Sequence, residues 1–151
     1  MTRRVIGLGS LGGGDDGVGF AISRRLREVG LPEDVDVLDC RAPDRLSWLL
    51  DGVDVAVLVD AAVGRAEPGS LLQTTPEEIA NGDVTPLSSH GLGIGKALAL
   101  GRSVSAHGFC EQVHLLAVVI DPRNVHGDEL SHTVADAVPR AAAKVLQLLE
   151  T

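Results

Sequence analysis

A short apolar run around Val5, Ile6 and Leu8 predicts a buried strand over residues 4–9. Residues 16–29 then place Val18, Ile22, Leu26 and Val29 at helical spacing, with Gly30 and Pro32 as stop signals. The alternation D-V-D-V-L-D over Asp34 to Asp39 predicts a second strand, and Asp44 to Leu50 reads as a short helix carrying Trp48. Asp54 to Ala62 is nearly continuous in apolar residues, as a strand covered on both faces must be. After the turn at Pro68-Gly69, a short extra strand is expected over Gly69 to Thr74, and a loop or one helical turn over Pro76 to Asp83. Ser88 and Ser89 offer N-caps for a helix from about His90 to Leu100 closed by Gly101. Gln112 to Ile120 predicts another buried strand, and Ser131 starts a last helix with Val134, Val138, Ala142, Val145 and Leu149 on one face. Pro139, inside that pattern, should kink the helix or mark its true first turn.

This alternation predicts a three-layer α/β/α fold: a twisted, mostly parallel sheet of about five strands with helices on both faces, formed by residues 1–151 as a single domain. Right-handed crossovers set the C-terminal ends of the strands along one edge, where ligands of open α/β sheets bind. Composition adds limits. With 151 residues, 44% of them hydrophobic, the chain can bury a full core, and its formal charge of −8 argues against nucleic acid as a partner. No apolar run approaches membrane-spanning length and no signal-peptide core precedes the first strand, so a cytoplasmic protein without membrane insertion is expected. Cys40 and Cys110 read as ordinary free thiols that finish on opposite edges of the sheet.

The candidate chemistry gathers at the strand ends. Val5 to Gly19 reads V-I-G-L-G-S-L-G-G-G-D-D-G-V-G, a glycine-dense loop with two aspartates where a helix begins. Asp15 reads equally well as an N-cap, whereas Asp16 sits on the lip of the loop, where a ligand would bind. Asp39 ends the second strand and Asp60 the third. His90 opens a helix, where the dipole favours the neutral, metal-binding imidazole. Asp16, Asp60 and His90, from three loops, make a three-ligand site for a borderline divalent cation such as nickel or zinc, with positions left open. His107, His114, His126 and His132 read as structural or surface residues.

A rival reading starts from the same loop. G-L-G-S-L-G matches G-x-G-x-x-G, and Asp39 stands about where a ribose-binding acid of a dinucleotide-dependent oxidoreductase would. Against it, two aspartates occupy the place where pyrophosphate needs bare N–H groups.

The set G-L-G-S-L-G-G-G-D-D-G-V-G, then L-V-D-A near residue 60, then S-S-H-G-L-G-I near residue 90, resembles the hydrogenase maturation protease family over nearly the whole chain. The resemblance implies an endopeptidase that removes the C-terminal extension of a nickel–iron hydrogenase large-subunit precursor once nickel is inserted. It also implies that Asp16, Asp60 and His90 bind the metal, sensing the substrate's nickel transiently. Catalysis would fall to Asp16 and Asp60, with Asp39 as positioning group or general base; metal-assisted hydrolysis and the acid–base chemistry of an aspartyl protease both remain open. Three departures stand out: Ser10 where the family usually has asparagine, Ser89 and Gly91 flanking the histidine, and Cys40-Arg41-Ala42 in place of a glycine-rich stretch. A non-catalytic nickel-checking chaperone of the same fold is the further alternative. The segment 62–90, beside the site, is the expected recognition surface.

Overall fold

The computed structural model describes residues 1–79, 84–87 and 93–150. The first apolar run forms β1 (Arg3–Leu8), and the alternating segment forms β2 (Val35–Cys40), paired parallel to it. The apolar run after Asp54 forms β3 (Val55–Gly64), parallel to β1 on its other side. Next come β4 (Leu71–Thr74), β5 (Val84–Pro86) and β6 (Gln112–Val119). The sheet has the order β2-β1-β3-β6-β4, with β4 antiparallel at the edge and β5 antiparallel to the far end of β3. The architecture is thus the expected α/β one, with six strands among the described residues instead of about five, because Val84–Pro86 adds a short strand against the far end of β3.

The helices are α1 (Val18–Val29), α2 (Leu46–Leu49), α3 (Pro76–Ile79), α4 (Gly93–Val104) and α5 (His132–Leu149). α1 and α5 pack together on one face over Val5, Val57, Val59, Leu116 and Val118. α2 and α4 cover the other face over Ile6, Leu8, Leu58 and Leu115. Strand parity explains the split: successive residues of β3 alternate between the two cores, so a strand buried on both sides is apolar nearly throughout, Asp60 being the exception. Each fully buried aliphatic side chain contributes about 1.5–3 kcal/mol of transfer free energy, which is what holds the three layers together. No helix among the described residues is long and apolar enough to cross a membrane.

Several local expectations change. Val29, at the end of α1, is 52% exposed rather than buried, because Gly30 (φ 83°) turns the chain away just beyond it. Gly101 does not close α4, which runs on to Val104; a Cβ there would lie 2.1 Å from the ring of Phe109, so glycine is what lets that ring seat against the helix. Pro139 is not a first turn, since α5 begins at His132; the proline lies on the exposed face, where the carbonyl it leaves unbonded faces water. The helix-start expectation for Ser88 and Ser89 lies outside the described residues.

The topology fixes where a ligand crevice opens. From β1 the chain moves one way to β2 and then returns past β1 to β3 and onward to β6, so strand order reverses between β1 and β3. The crevice outside the C-terminal ends of those two strands is therefore the switch point of the sheet.

Candidate functional site

The loop after β1 enters the crevice first. It is stitched to the segment following β6: the Gly14 N–H donates to Gly127 O at 2.8 Å, Asp15 N–H to Asn124 O at 2.8 Å, and Gly127 N–H to Gly12 O at 3.1 Å. Gly12 and Gly14 have φ of 70° and 57°, a conformation that side-chain-bearing residues seldom adopt. A 3₁₀ turn over Gly14–Gly17 then carries both aspartates into α1. Asp15 is buried, and its carboxylate accepts the Ser131 N–H at 2.7 Å and the Ser131 hydroxyl at 2.8 Å. It is a helix cap, as its residue type suggests, but the helix it serves is α5, more than a hundred residues away in sequence.

Asp16 is half-buried and held from within the loop. The Ser10 hydroxyl donates to its Oδ2 at 2.6 Å, and a Cβ at Gly9 would lie 2.5 Å from the Asp16 carbonyl oxygen. A Cβ at Gly13 would lie 2.5 Å from the Ser10 hydroxyl. The glycines thus let the loop close around this carboxylate, and Ser10, at the position of a family departure, is the residue that grips it. The 3₁₀ turn also packs against β3.

Asp60 is fully buried on β3, paired with Ala117 of β6. The strand does not end there; it continues to Gly64 through pairing with β5 and β6. By parity Asp60 shares the face of Ala56 and Leu58, the face covered by α2 and α4. A carboxylate so placed must be met by hydrogen bonds or a cation, and two carboxylates at the switch point are oxygen donors suited to a divalent ion. His90, which would supply the nitrogen ligand, lies outside the described residues. Among the described residues, no three His, Cys, Asp or Glu side chains are grouped to hold a metal.

Asp39 is elsewhere. It is in register with Gly7, near the end of β2, on the face of Val35 and Val37 that looks toward α1, and it pairs with Arg27 of α1 at 3.7 Å. Asp60 stands two strands away, roughly 10 Å at the usual strand spacing, and faces the opposite side of the sheet. The fold does not bring Asp39 and Asp60 together, and a general base has to reach its proton within about 3 Å or through one water.

The glycine loop is equally unsuited to a dinucleotide. The N–H groups of Gly14 and Asp15, where pyrophosphate would dock, already donate to the carbonyls of Gly127 and Asn124. Gly7 and Gly19 serve packing instead: a Cβ at Gly19 would lie 2.3 Å from Leu8 O and 2.7 Å from Val59 O. Of the remaining histidines, His114 is within β6, and the backbone N–H of His107 donates to Asp51 at 3.1 Å on the opposite edge. Cys40 and Cys110 are free and buried, and burial pushes both thiols up.

Residues 20–148 match the family model described as hydrogenase maturation protease. A Methanocaldococcus jannaschii protein whose name assigns it to the hydrogenase maturation proteases is 32% identical over 80 residues, 51% of this chain and 52% of its own length. This chain therefore spans about half of that relative. Protein FrxA of Pyrococcus furiosus is 29% identical over 137 residues, covering 90% of this chain and 96% of its own. Among solved structures, the hydrogenase maturating endopeptidase HybD from E. coli superposes with a TM-score of 0.78 at 25% identity, over 99% of this chain and 93% of that one.

Proposed function

This chain belongs to the hydrogenase maturation protease family, a family of peptidases, and from that premise we propose that it removes the C-terminal extension of a nickel–iron hydrogenase large-subunit precursor after nickel insertion. The observation that carries the reading is the family match across residues 20–148, which includes Asp60 and His90. The nickel is part of the substrate. Asp16, Asp60 and His90 hold it transiently, and the metal supplies Lewis acidity at the carbonyl to be cleaved.

Within this reading the residues divide the work. Ser10 fixes the rotamer of Asp16 by committing its Oδ2 to the hydroxyl, and Oδ1 is itself buried at the loop. Asp60, fully buried on β3, contributes a carboxylate from a backbone that pairing with β6 holds in register. Asp15 takes no part in the chemistry; by binding Ser131 it keeps the loop against α5, and so keeps Asp16 in place. Asp39 does not serve as the general base at the metal, because it faces the other side of the sheet.

The test is processing of a nickel-loaded large-subunit precursor by the intact protein and by Asp16→Asn, Asp60→Asn and His90→Ala. Cleavage that each variant loses by at least about a hundredfold, the scale of a lost ligand or acid–base group, is the expected result. A parallel thermal-shift series with nickel checks the ligand set without turnover: nickel raises the melting temperature of the intact protein and not of the variants. Precursor binding with no cleavage by the intact protein would instead make it a nickel-checking chaperone.

A further inference from the structure

The chain carries 13 basic against 21 acidic residues, yet four of the 13 meet on one stretch of surface. A groove of about 230 Å³ beside the glycine loop is lined by Leu11, Phe20, Arg24, Arg27, Asp39 and Arg41. A second, of about 430 Å³, continues from Asp39 and Arg41 past Ala42 to Arg45 and Leu49. On the other side, Leu11, Phe20 and Arg24 are shared with a groove of about 680 Å³ that reaches Ser10, the residue gripping Asp16. Shared walls make these one furrow. It runs from the loop holding Asp16, across the ends of α1 and β2, to α2.

Asp128 and Glu129 line the end of the furrow beside the glycine loop, and beyond them its charge is opposite to that of the protein. Asp39 is the one acid lining its last two grooves among the described residues, and it is answered by Arg27. Arg24 and Arg41 are exposed and enter no ion pair among the described residues. Two large apolar side chains are exposed nearby: Leu11, which lines two of the grooves, is 66% exposed, and Trp48, outside the grooves but with the Arg45 guanidinium 6.0 Å from its ring, is 70% exposed. Arginine and tryptophan left exposed beside a groove are the side chains that dominate binding energy at protein interfaces.

We infer that this arginine-lined furrow docks an extended acidic segment of the partner protein, with its carboxylates on Arg24, Arg27, Arg41 and Arg45. Bidentate guanidinium–carboxylate pairs provide the recognition, and the local positive field in a protein of charge −8 guides the segment in. The inference rests on the peptidase reading only for naming the partner as the precursor. It also moves the recognition surface from the segment 62–90 to the β2–α2 side of the site. Asp39 becomes a positioning residue, holding Arg27 over the groove.

Trp48, the chain's single tryptophan, reports on the furrow directly. A glutamate-rich peptide titrated into the full chain should shift its fluorescence saturably, and the shift should fade as salt is raised. Arg24→Glu/Arg41→Glu should weaken that binding by about tenfold or more, with Arg24→Gln/Arg41→Gln intermediate and the melting temperature of both unchanged. Equal response to a lysine-rich peptide or to a single-stranded oligonucleotide of matched charge, or equal response in the charge-reversed variant, would overturn the inference. In precursor cleavage, the charge-reversed variant should raise KM about tenfold with kcat retained. An unchanged KM would remove the docking surface and leave the peptidase reading intact. Peptide binding lost in the variant, with no precursor cleavage even by the intact protein, would keep the docking surface and remove that reading.

Discussion

Removing the Asp15 carboxylate should release the glycine loop from α5. Two donors of Ser131, at 2.7 and 2.8 Å, converge on that carboxylate, which is 1% exposed. Hydrogen bonds to an ionised group contribute about 1.5–3 kcal/mol each. Ser131 is only half-buried, so water can reach part of what is left behind, and the lower half of the range applies. Asp15→Ala should therefore cost about 3–4 kcal/mol, a drop of roughly 6–15 °C in melting temperature for a chain of this size. Asp15→Asn can still accept the Ser131 N–H and donate to the hydroxyl, and loses only the charge, about 1–1.5 kcal/mol.

Urea unfolding followed by circular dichroism measures both, and a double-mutant cycle with Ser131→Ala isolates the side-chain half of the contact. A coupling of about 1 kcal/mol or more is expected. Asp15→Ala costing under about 1 kcal/mol, or a coupling indistinguishable from zero, would refute the assignment of Asp15 as the staple between loop and helix. The same variant tests the functional corollary: at a temperature where it remains folded, nickel should stabilise it less than the intact protein, because Asp16 is no longer held in place.

Other outcomes follow from single contacts. Gly101→Ala should destabilise by about 1–3 kcal/mol through overlap with Phe109, whereas Gly95→Ala, whose Cβ meets nothing within 4 Å among the described residues, should stabilise by about 0.5–1 kcal/mol; thermal melts of the two should move in opposite directions. Burial holds the Cys40 and Cys110 thiols above the ordinary range, so iodoacetamide at pH 8 should label the native protein slowly and the urea-unfolded chain at once; fast native labelling of either would contradict its packing. The Arg123 guanidinium lowers Asp121 to about 2, so its contribution to stability is present above roughly pH 4 and is lost as pH falls from there toward 2. An NMR titration should find the Asp121 midpoint near that value and see it rise in Arg123→Ala; a midpoint near 4 with Arg123 present would remove the pairing.

The elements that sequence foretold are those whose burial is periodic. Val55 to Ala62 is apolar at every position but Asp60 because both faces of β3 are covered, and the one exception marks the candidate site. Boundaries failed where a tertiary partner decided them. Gly101 looks like a helix stop until Phe109, eight residues later, is seen to fill the space above it. Asp15 looks like a cap for α1, since nothing local shows that Ser131 will lie within hydrogen-bond reach. The arginine furrow was invisible for the same reason: Arg24 and Arg27 come from one helix, Arg41 and Arg45 from the loop and turn two elements on, and only the pairing of β1 with β2 sets them side by side.

Asp39 and Asp60 show what strand ends alone leave undecided. Both stand near the C-terminal ends of parallel strands, so both belong to the ligand-binding edge. Which face each side chain takes depends on register, and register places Asp39 level with Gly7, and Gly7 level with Val59. Asp39 thus takes the parity of Val59, while Asp60, one residue on, takes the opposite one. With β1 also standing between β2 and β3, no rotamer change brings the two carboxylates together. On the proposed reading, the α2/α4 face keeps Asp60 for the substrate's metal, and the α1 face keeps Asp39 beside Arg27. One sheet edge can in this way carry a hydrolytic site and a docking surface whose charges do not cancel each other.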